Sequence, residues 1–144
     1  MIVATSCVAT FGCHSDHPDL AEVAAKVTID GKPLGNGTIT FESEGHRPAI
    51  GRIVDGSIVE ITTYEPGDGV PVGHHKVAIS STEQPRTADP GKGSRPGEKP
   101  IQASNYMLGR SLIPSRYNSP GTSGLTADIE SGKNSVEFEL DSKP

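Results

Sequence analysis

The residues of this chain best suited to catalysis are two adjacent histidines, His74 and His75, six residues after Asp68. An imidazole beside a carboxylate can act as a general base or help to bind a metal ion. The set therefore predicts, as an alternative function, an uncharacterised hydrolase or a metal-dependent enzyme. In a strand, however, one of two neighbouring imidazoles faces out and the other faces in. An inward histidine is more often structural than catalytic.

A second group of histidines and carboxylates lies near the N-terminus and consists of His14, Asp16, His17 and Asp19. Imidazole and carboxylate are suitable ligands for zinc or copper. The surrounding segment 14–22 is polar and shows no apolar period, which is typical of a tether. Ligands on a tether are not held in a fixed geometry, so we predict no metal site and no cofactor.

Serine chemistry lacks its usual context. Ser111, Ser115 and Ser123 are not part of a Gly-x-Ser-x-Gly motif. The sequence also contains no Gly-rich phosphate loop and no paired cysteine ligands. We therefore expect a protein that is not an enzyme and has no catalytic residue.

The two cysteines, Cys7 and Cys13, lie in an uncharged N-terminal segment of small and apolar residues, MIVATSCVATFGC. This segment resembles the end of a secretory signal peptide running into a lipobox, with Gly12 before the cysteine that receives lipid. We predict lipidation of Cys13, with residues 1–13 as the remnant of the leader. The basic start of a leader is missing, which predicts a start that is truncated or placed too late. An ordinary thiol and a Cys7–Cys13 disulfide are the alternatives.

The composition favours one all-β domain. The chain has 144 residues, enough for a single core, and its 17 Gly and 12 Pro separate short apolar runs. Its net charge of −5 gives no electrostatic reason to bind nucleic acid. No long apolar run follows the cysteines, so we expect no spanning segment there.

The stretch Val23 to Glu42 organises the predicted domain. Residues 23–30 alternate between apolar and polar, Asp30-Gly31 begins a turn, and Ile39 and Phe41 resume the apolar face. We predict two strands around this turn, 23–30 and 38–42, which form an opening hairpin. We predict further strands at 49–54, 57–64, 74–80, 125–130 and 135–140. The early strands are spaced at about ten residues, which is typical of a sandwich or barrel.

The last two predicted strands, 125–130 and 135–140, should form a hairpin. In the predicted strand 57–64, Val59, Ile61 and Thr63 should share one face. One core between two sheets should bury nine apolar residues. They are Val27, Ile39, Phe41, Val77, Ile79, Leu125, Val136, Phe138 and Leu140. The domain then covers residues 23–144, and residues 81–104, which are rich in Pro and Gly, form a mobile insertion loop.

The strand followed by DGKPL, a turn and a strand ending in an aromatic residue resembles the transthyretin-like fold. It is similar in particular to carboxypeptidase regulatory-like domains, which are Greek-key β-sandwiches of about seven to eight strands. The later segments TTYEPGDGVPVGHHKVAI and LIPSRYNSPGTSGLTADIESGKNSVEFEL extend the resemblance to short exported bacterial proteins, usually predicted lipoproteins.

This resemblance implies export and a membrane anchor through the N-terminal lipid, on the periplasmic or extracellular face. It implies no catalytic activity. The domain that it implies is associated in other proteins with folding support, adhesion or glycan contact. One branch of the fold hydrolyses hydroxyisourate and carries a C-terminal Tyr-Arg-Gly-Ser signature. This chain ends in Asp141-Ser142-Lys143-Pro144 instead.

We place binding of a glycan or an envelope protein on two loops, Tyr64 to Gly73 and Arg110 to Gly124, since a rigid sandwich carries recognition on its loops. The candidate residues are Tyr64, Glu65, Asp68, Arg116, Tyr117 and Asn118. The alternative is that both tyrosines brace the turns that contain Pro66 and Pro120.

Overall fold

A computed structural model of the protein describes residues 17–83 and 109–143. The described part contains nine strands, two of them only two residues long. They are β1 Leu20–Ile29, β2 Lys32–Pro33, β3 Asn36–Glu42, β4 Ala49–Val54, β5 Ser57–Thr62, β6 Val70–Pro71, β7 Gly73–Ser80, β8 Leu125–Ile129 and β9 Lys133–Leu140. A 3₁₀ helix, Ser115–Asn118, and a one-turn helix α1, Pro120–Ser123, lie between β7 and β8. The predicted all-β class is confirmed.

The strands form one curled sheet in the order β2-β1-β5-β4-β3-β7-β8, with β6 and β9 also paired to β1. Neighbouring strands are antiparallel except β1 and β9, which run parallel over eight register pairs. The sheet therefore curls around a single apolar core.

Strand β1 shows why the period-two pattern was informative. Ala21, Val23, Ala25 and Val27 point inward and are buried, while the intervening residues are exposed. The strand begins at Leu20, so the last three residues of the predicted tether, 20–22, belong to the sheet.

The prediction of an opening hairpin between 23–30 and 38–42 is wrong. Asp30 and Gly31 do adopt positive φ angles and turn the chain, but the returning strand is the two-residue β2. Buried Leu34 then donates its N–H to Val27 and accepts from Gly56, so it links β1 to the turn between β4 and β5, and the next strand begins beside β4 rather than β1. As a result β3 pairs with β4 and β7.

The predicted C-terminal hairpin is also wrong. Strand β8 pairs with β7, and β9 pairs with β1. The short turn between them is closed by Asn134, whose side chain bonds both the N–H and the carbonyl of Glu130. Glu22 donates its N–H to Gly132 at 3.0 Å, which holds the beginning of β9 beside β1.

Strand β5 departs from the predicted face because of a β-bulge. Its register against β4 shifts between Ile50 and Arg52, and Glu60 has a φ of 55°. Ile61 and Thr63 are buried, but Val59 is 36% exposed. The extra residue therefore turns Val59 to the outer face.

Most of the predicted core is confirmed. Seven of the nine residues are buried, namely Val27, Ile39, Phe41, Val77, Ile79, Phe138 and Leu140. Leu125 and Val136 are partly buried and pack against this cluster. Leu34, Ile53 and Ile113 are core residues that the predicted set did not include.

The first residues of the predicted insertion loop are held in place. Ser81 is buried, and its hydroxyl donates to the Asn36 carbonyl at 2.5 Å. Thr82 bridges to Ser111, and Glu83 donates its N–H to Arg110 at 2.9 Å. The rest of the predicted loop, and Cys7 and Cys13 with the predicted leader, lie outside the described residues.

Candidate functional site

Asp68, a candidate binding residue, closes its own turn. Its carboxylate accepts the backbone N–H groups of Thr63 at 2.7 Å, Tyr64 at 2.8 Å and Glu65 at 2.9 Å. Burial raises the pKa of the Asp68 carboxyl, but these hydrogen bonds outweigh burial and hold its pKa below the ordinary value. The charged carboxylate therefore has a structural role, while the neighbouring Glu65 side chain is exposed.

Tyr64 is partly buried and lies beside His17, the first described residue. Its ring stacks on His17, with ring centroids 4.4 Å apart and planes 29° apart. His17 belonged to the second group of possible metal ligands, and here it contacts an aromatic ring. His14 and Asp16 of that group lie outside the described residues.

Tyr117 is not an exposed aromatic residue, because its side chain is 5% exposed. Its hydroxyl accepts the Asp141 N–H at 3.1 Å and an Arg116 N–H at 2.9 Å. The Arg116 guanidinium lies over the ring at 4.7 Å from its centroid. Tyr117 is therefore a buried residue whose hydroxyl holds the segment after β9, whereas Asn118 beside it is exposed.

The two tyrosines lie at opposite ends of the sheet. The Tyr64 loop runs into β6, which pairs with the beginning of β1, and the Tyr117 hydroxyl bonds the residue after β9. The β1–β9 pairing between those ends covers eight register pairs, about 23 Å in length. The aromatic residues thus do not form one recognition surface.

The two predicted loops do meet, at a cleft of about 630 Å³ on the outer side of β3 and β7. One loop supplies Val72 and Gly73, and the other supplies Pro120 and Gly121. The remaining lining residues are mostly charged or titratable: Glu42, Ser43, Glu44, His46, His74 and Lys76. We refer to these ten residues as the β3–β7 cleft.

Charged groups of both signs project into this cleft from the outer face of the sheet. Glu42 and Lys76 are register partners on β3 and β7. At the rim, His74 Nδ1 lies 2.6 Å from a carboxylate oxygen of Asp128, its register partner on β8. This contact orients the ring and leaves Nε2 for another partner. Such groups can bind ligand hydroxyls or charges.

His75 faces the core, as expected of one of the two histidines, and is 1% exposed. Its Nε2 lies 2.7 Å from the Pro71 carbonyl oxygen, and its ring meets the Phe41 ring edge-on. Burial lowers the pKa of His75, and the bond to Pro71 opposes that effect in part. Among the described residues, His75 Nδ1 and Ser43 Oγ are buried atoms without a hydrogen-bond partner.

The structure does not assemble His74, His75 and Asp68 into one site. The two imidazoles lie on opposite faces of β7, and Asp68 is engaged in its turn, beside a different depression that Glu22 and Glu60 also line. Asp128, which the sequence did not indicate, is the carboxylate beside His74. Within residues 17–83 and 109–143 no group of three His, Cys, Asp or Glu side chains could hold a metal ion.

Sequence reasoning missed most of the polar residues of the cleft, together with Asp128 beside its rim. The missed cleft residues are Glu42, Ser43, Glu44, His46 and Lys76. The available signal was weak. Glu42 and Lys76 occupy outward positions of predicted strands, where a charged residue normally just faces solvent. Only the pairing of β7 with both β3 and β8 brings these residues together.

Comparison with models of protein families, with curated proteins and with solved structures finds no match. In the part of the chain that the structure describes, no helix is long and apolar enough to cross a membrane.

Proposed function

We propose that this chain is a non-catalytic binding or structural module of the cell envelope, exported and anchored by lipid on Cys13. The observation that carries the binding role is the β3–β7 cleft, where the two loops expected to carry recognition converge. Its charged side chains are exposed, whereas Asp68 and His75 have structural partners. The exposed charges of the cleft are suited to recognition, and the structural roles of Asp68 and His75 give no support to catalysis by these two residues.

The proposed fold is the transthyretin-like Greek-key sandwich of carboxypeptidase regulatory-like domains. Its two layers would be β8-β7-β3-β4-β5 and β9-β1-β2. In support, β1 and β5 share a single register pair, Lys26 and Ser57, whereas β3 and β4 share six. A weak link of this kind is what the corner between two layers requires.

The proposed partner of the cleft is an envelope glycan, with an envelope protein as the alternative. Carboxylate, imidazole and ammonium groups on either side of a groove can hydrogen-bond sugar hydroxyls. Val72 and Pro120 supply apolar surface for the less polar faces of a sugar ring.

Binding at the cleft is testable with a glycan array and pull-downs from envelope extracts. A His74→Ala/Lys76→Ala variant should lose the retained partner, because two donors of the cleft are removed. The matched control is Lys26→Ala/Glu137→Ala, which removes an exposed ion pair on β1 and β9, with its atoms 3.7 Å apart. Equal retention by both variants contradicts binding at the cleft.

Lipidation is testable by intact mass of the protein from the membrane fraction of its host. The expected form begins at Cys13 and carries acyl chains, more than one of them, because a single chain anchors weakly. Cys13→Ser should abolish the acylated form, whereas Cys7→Ser should leave it unchanged. Soluble protein that retains Met1 would show that the anchor does not exist.

The 2.6 Å contact between His74 and Asp128 favours one alternative, a hydrolase with His74 as general base. In this hydrolase, Asp128 takes the place of Asp68, the carboxylate that the sequence suggested beside the two histidines. Ester and amide substrates should then be hydrolysed by the wild type and not by His74→Gln. Activity that survives His74→Gln would exclude this residue as the base.

A further inference from the structure

The N-terminal segment joins the sheet at one end, beside the turn 62–69. Asp19 accepts the Val72 N–H at 2.9 Å through its carbonyl, and Leu20 and Ala21 pair with β6. Two residues earlier, His17 stacks on Tyr64 of the turn. The described chain is thus fixed to this end of the sheet from its first described residue.

Cys13 precedes His17 by four residues, so covalent geometry limits its distance from the Tyr64 ring. Four extended residues cover at most about 14 Å. Whatever path the chain takes, a group attached to Cys13 remains within that reach of His17, and therefore close to this end of the sheet.

The opposite end of the sheet is out of that reach. Ser142 donates its N–H to the Asp30 carboxylate there, and Thr82 bridges to Ser111. The eight register pairs of β1 and β9 separate the two ends, by about 23 Å. An anchor on Cys13 cannot bring both ends to the same surface.

We infer that the surface formed by residues 17–19 and 62–69 is the one that faces the lipid bilayer, and that the end with Asp30 and Ser142 points away from it. This orientation rests on the proposed anchor at Cys13. It also places the β3–β7 cleft in the half nearer the bilayer, because Val72 directly follows β6. A partner that binds the β3–β7 cleft must then lie close to the membrane surface.

The charge of this end shows what holds it at the bilayer. Asp19, Glu65 and Glu130 are exposed there, and Lys133 is paired with Glu22 at 3.7 Å. An acidic surface is repelled by anionic lipids. The lipid on Cys13, and not the protein surface, therefore provides the attraction, and the domain without lipid should not bind anionic vesicles.

The orientation can be measured by fluorescence, because the chain contains no tryptophan. Glu65→Trp places one reporter at the end near the anchor, and Lys32→Trp places a matched exposed reporter on β2 at the far end. The acylated proteins are reconstituted in phosphatidylcholine vesicles that carry a spin label on the headgroup. Quenching should be several-fold stronger for Glu65→Trp, and equal or reversed quenching overturns the inference.

A second preparation separates this inference from the proposed anchor. In a Cys7→Ser background, Cys13 is coupled to a maleimide lipid, and the two Trp variants are compared again. If the native protein fails to float with vesicles, the proposed lipidation is wrong, and the coupled protein still decides the orientation. Circular dichroism and thermal unfolding of both variants confirm that the substitutions leave the fold intact.

Discussion

At the scale of single residues, the structure separates side chains that the sequence presents as equivalent. Asp68 lies six residues before His74 in the sequence, and Asp128 lies beside His74 in the folded chain. Asp68 binds three backbone N–H groups of its own turn, while Asp128 is exposed and contacts His74. Their roles differ because the local backbone conformation, and not the residue type, decides which donors a carboxylate meets.

Asp68→Ala should destabilise the protein by about 1–3 kcal/mol, since it leaves the N–H groups of the turn without their acceptor. Because the folded-state pKa of Asp68 is lowered, its contribution is complete above the unfolded-state pKa and is lost as pH falls through the folded-state value. Urea unfolding at neutral and acidic pH measures both effects. Glu65→Ala is the control, and an equal loss in both variants would contradict the turn-closing role.

His75 should make the fold sensitive to mild acid. Its folded-state pKa is lowered mainly by burial, so the unfolded chain takes up the proton first as pH falls below about 6.5. The free energy of unfolding therefore has its full value above that pH, and it decreases as the pH falls toward the lower, folded-state pKa of His75. His75→Phe should flatten the dependence of the thermal midpoint between about pH 7 and pH 5.

The matched control for that experiment is His74→Gln, which changes the exposed neighbour on the other face of β7. The acid-dependent loss should persist in this control. If the wild type shows no loss in that range, buried His75 does not control acid stability.

At the scale of elements, the alternation of residues indicates the buried face of a strand but not the strand with which it pairs. Strand β9 alternates as expected, with Phe138 and Leu140 buried and Glu137 and Glu139 exposed. Its partner is β1, in parallel, and not the preceding strand β8. A period of two identifies the buried face of a strand, but it contains no information about which neighbour completes the hydrogen bonds.

Phe138→Ala should lower the free energy of unfolding by about 3–5 kcal/mol, the range for a buried aromatic side chain. Phe138 is 5% exposed and lies 6.3 Å from the Phe41 ring, centroid to centroid. Chemical denaturation measures the change. Glu137→Ala, one position away on the outer face, should change it by less than about 0.5 kcal/mol. A loss below about 1 kcal/mol for Phe138→Ala would mean that the register is wrong.

At the scale of the whole molecule, the described residues form one curled sheet around a single apolar core. Residues 17–19 join it at one end, and Glu83 and Arg110 leave it, hydrogen-bonded to each other, near the other end. The core draws residues from nearly every strand of the described part, and also Ile113 and Tyr117 from the segment before α1.

Replacement of residues 84–108 by a short Asn-Gly turn should leave the fold stable. The flanking residues Thr82 and Ser111 already form a bridge, so a tight connection suits the existing geometry. A shorter loop also costs slightly less entropy to close. Thermal unfolding should give a midpoint equal to or above that of the full chain. A shortened chain that does not fold would show that the segment contributes to the core.

The sequence by itself determined the all-β class, the inward faces of most strands and seven of the nine expected core residues. These properties are local, because each depends on alternation or on turn residues within a few positions. The tertiary structure decided the strand partners, the inward turn of Tyr117 and the proximity of His74 to Asp128. It also created the cleft, whose residues come from segments up to 79 positions apart, between Glu42 and Gly121. Contacts at that separation depend on which strands pair, and strand pairing is settled by burial of the whole core rather than by any one segment.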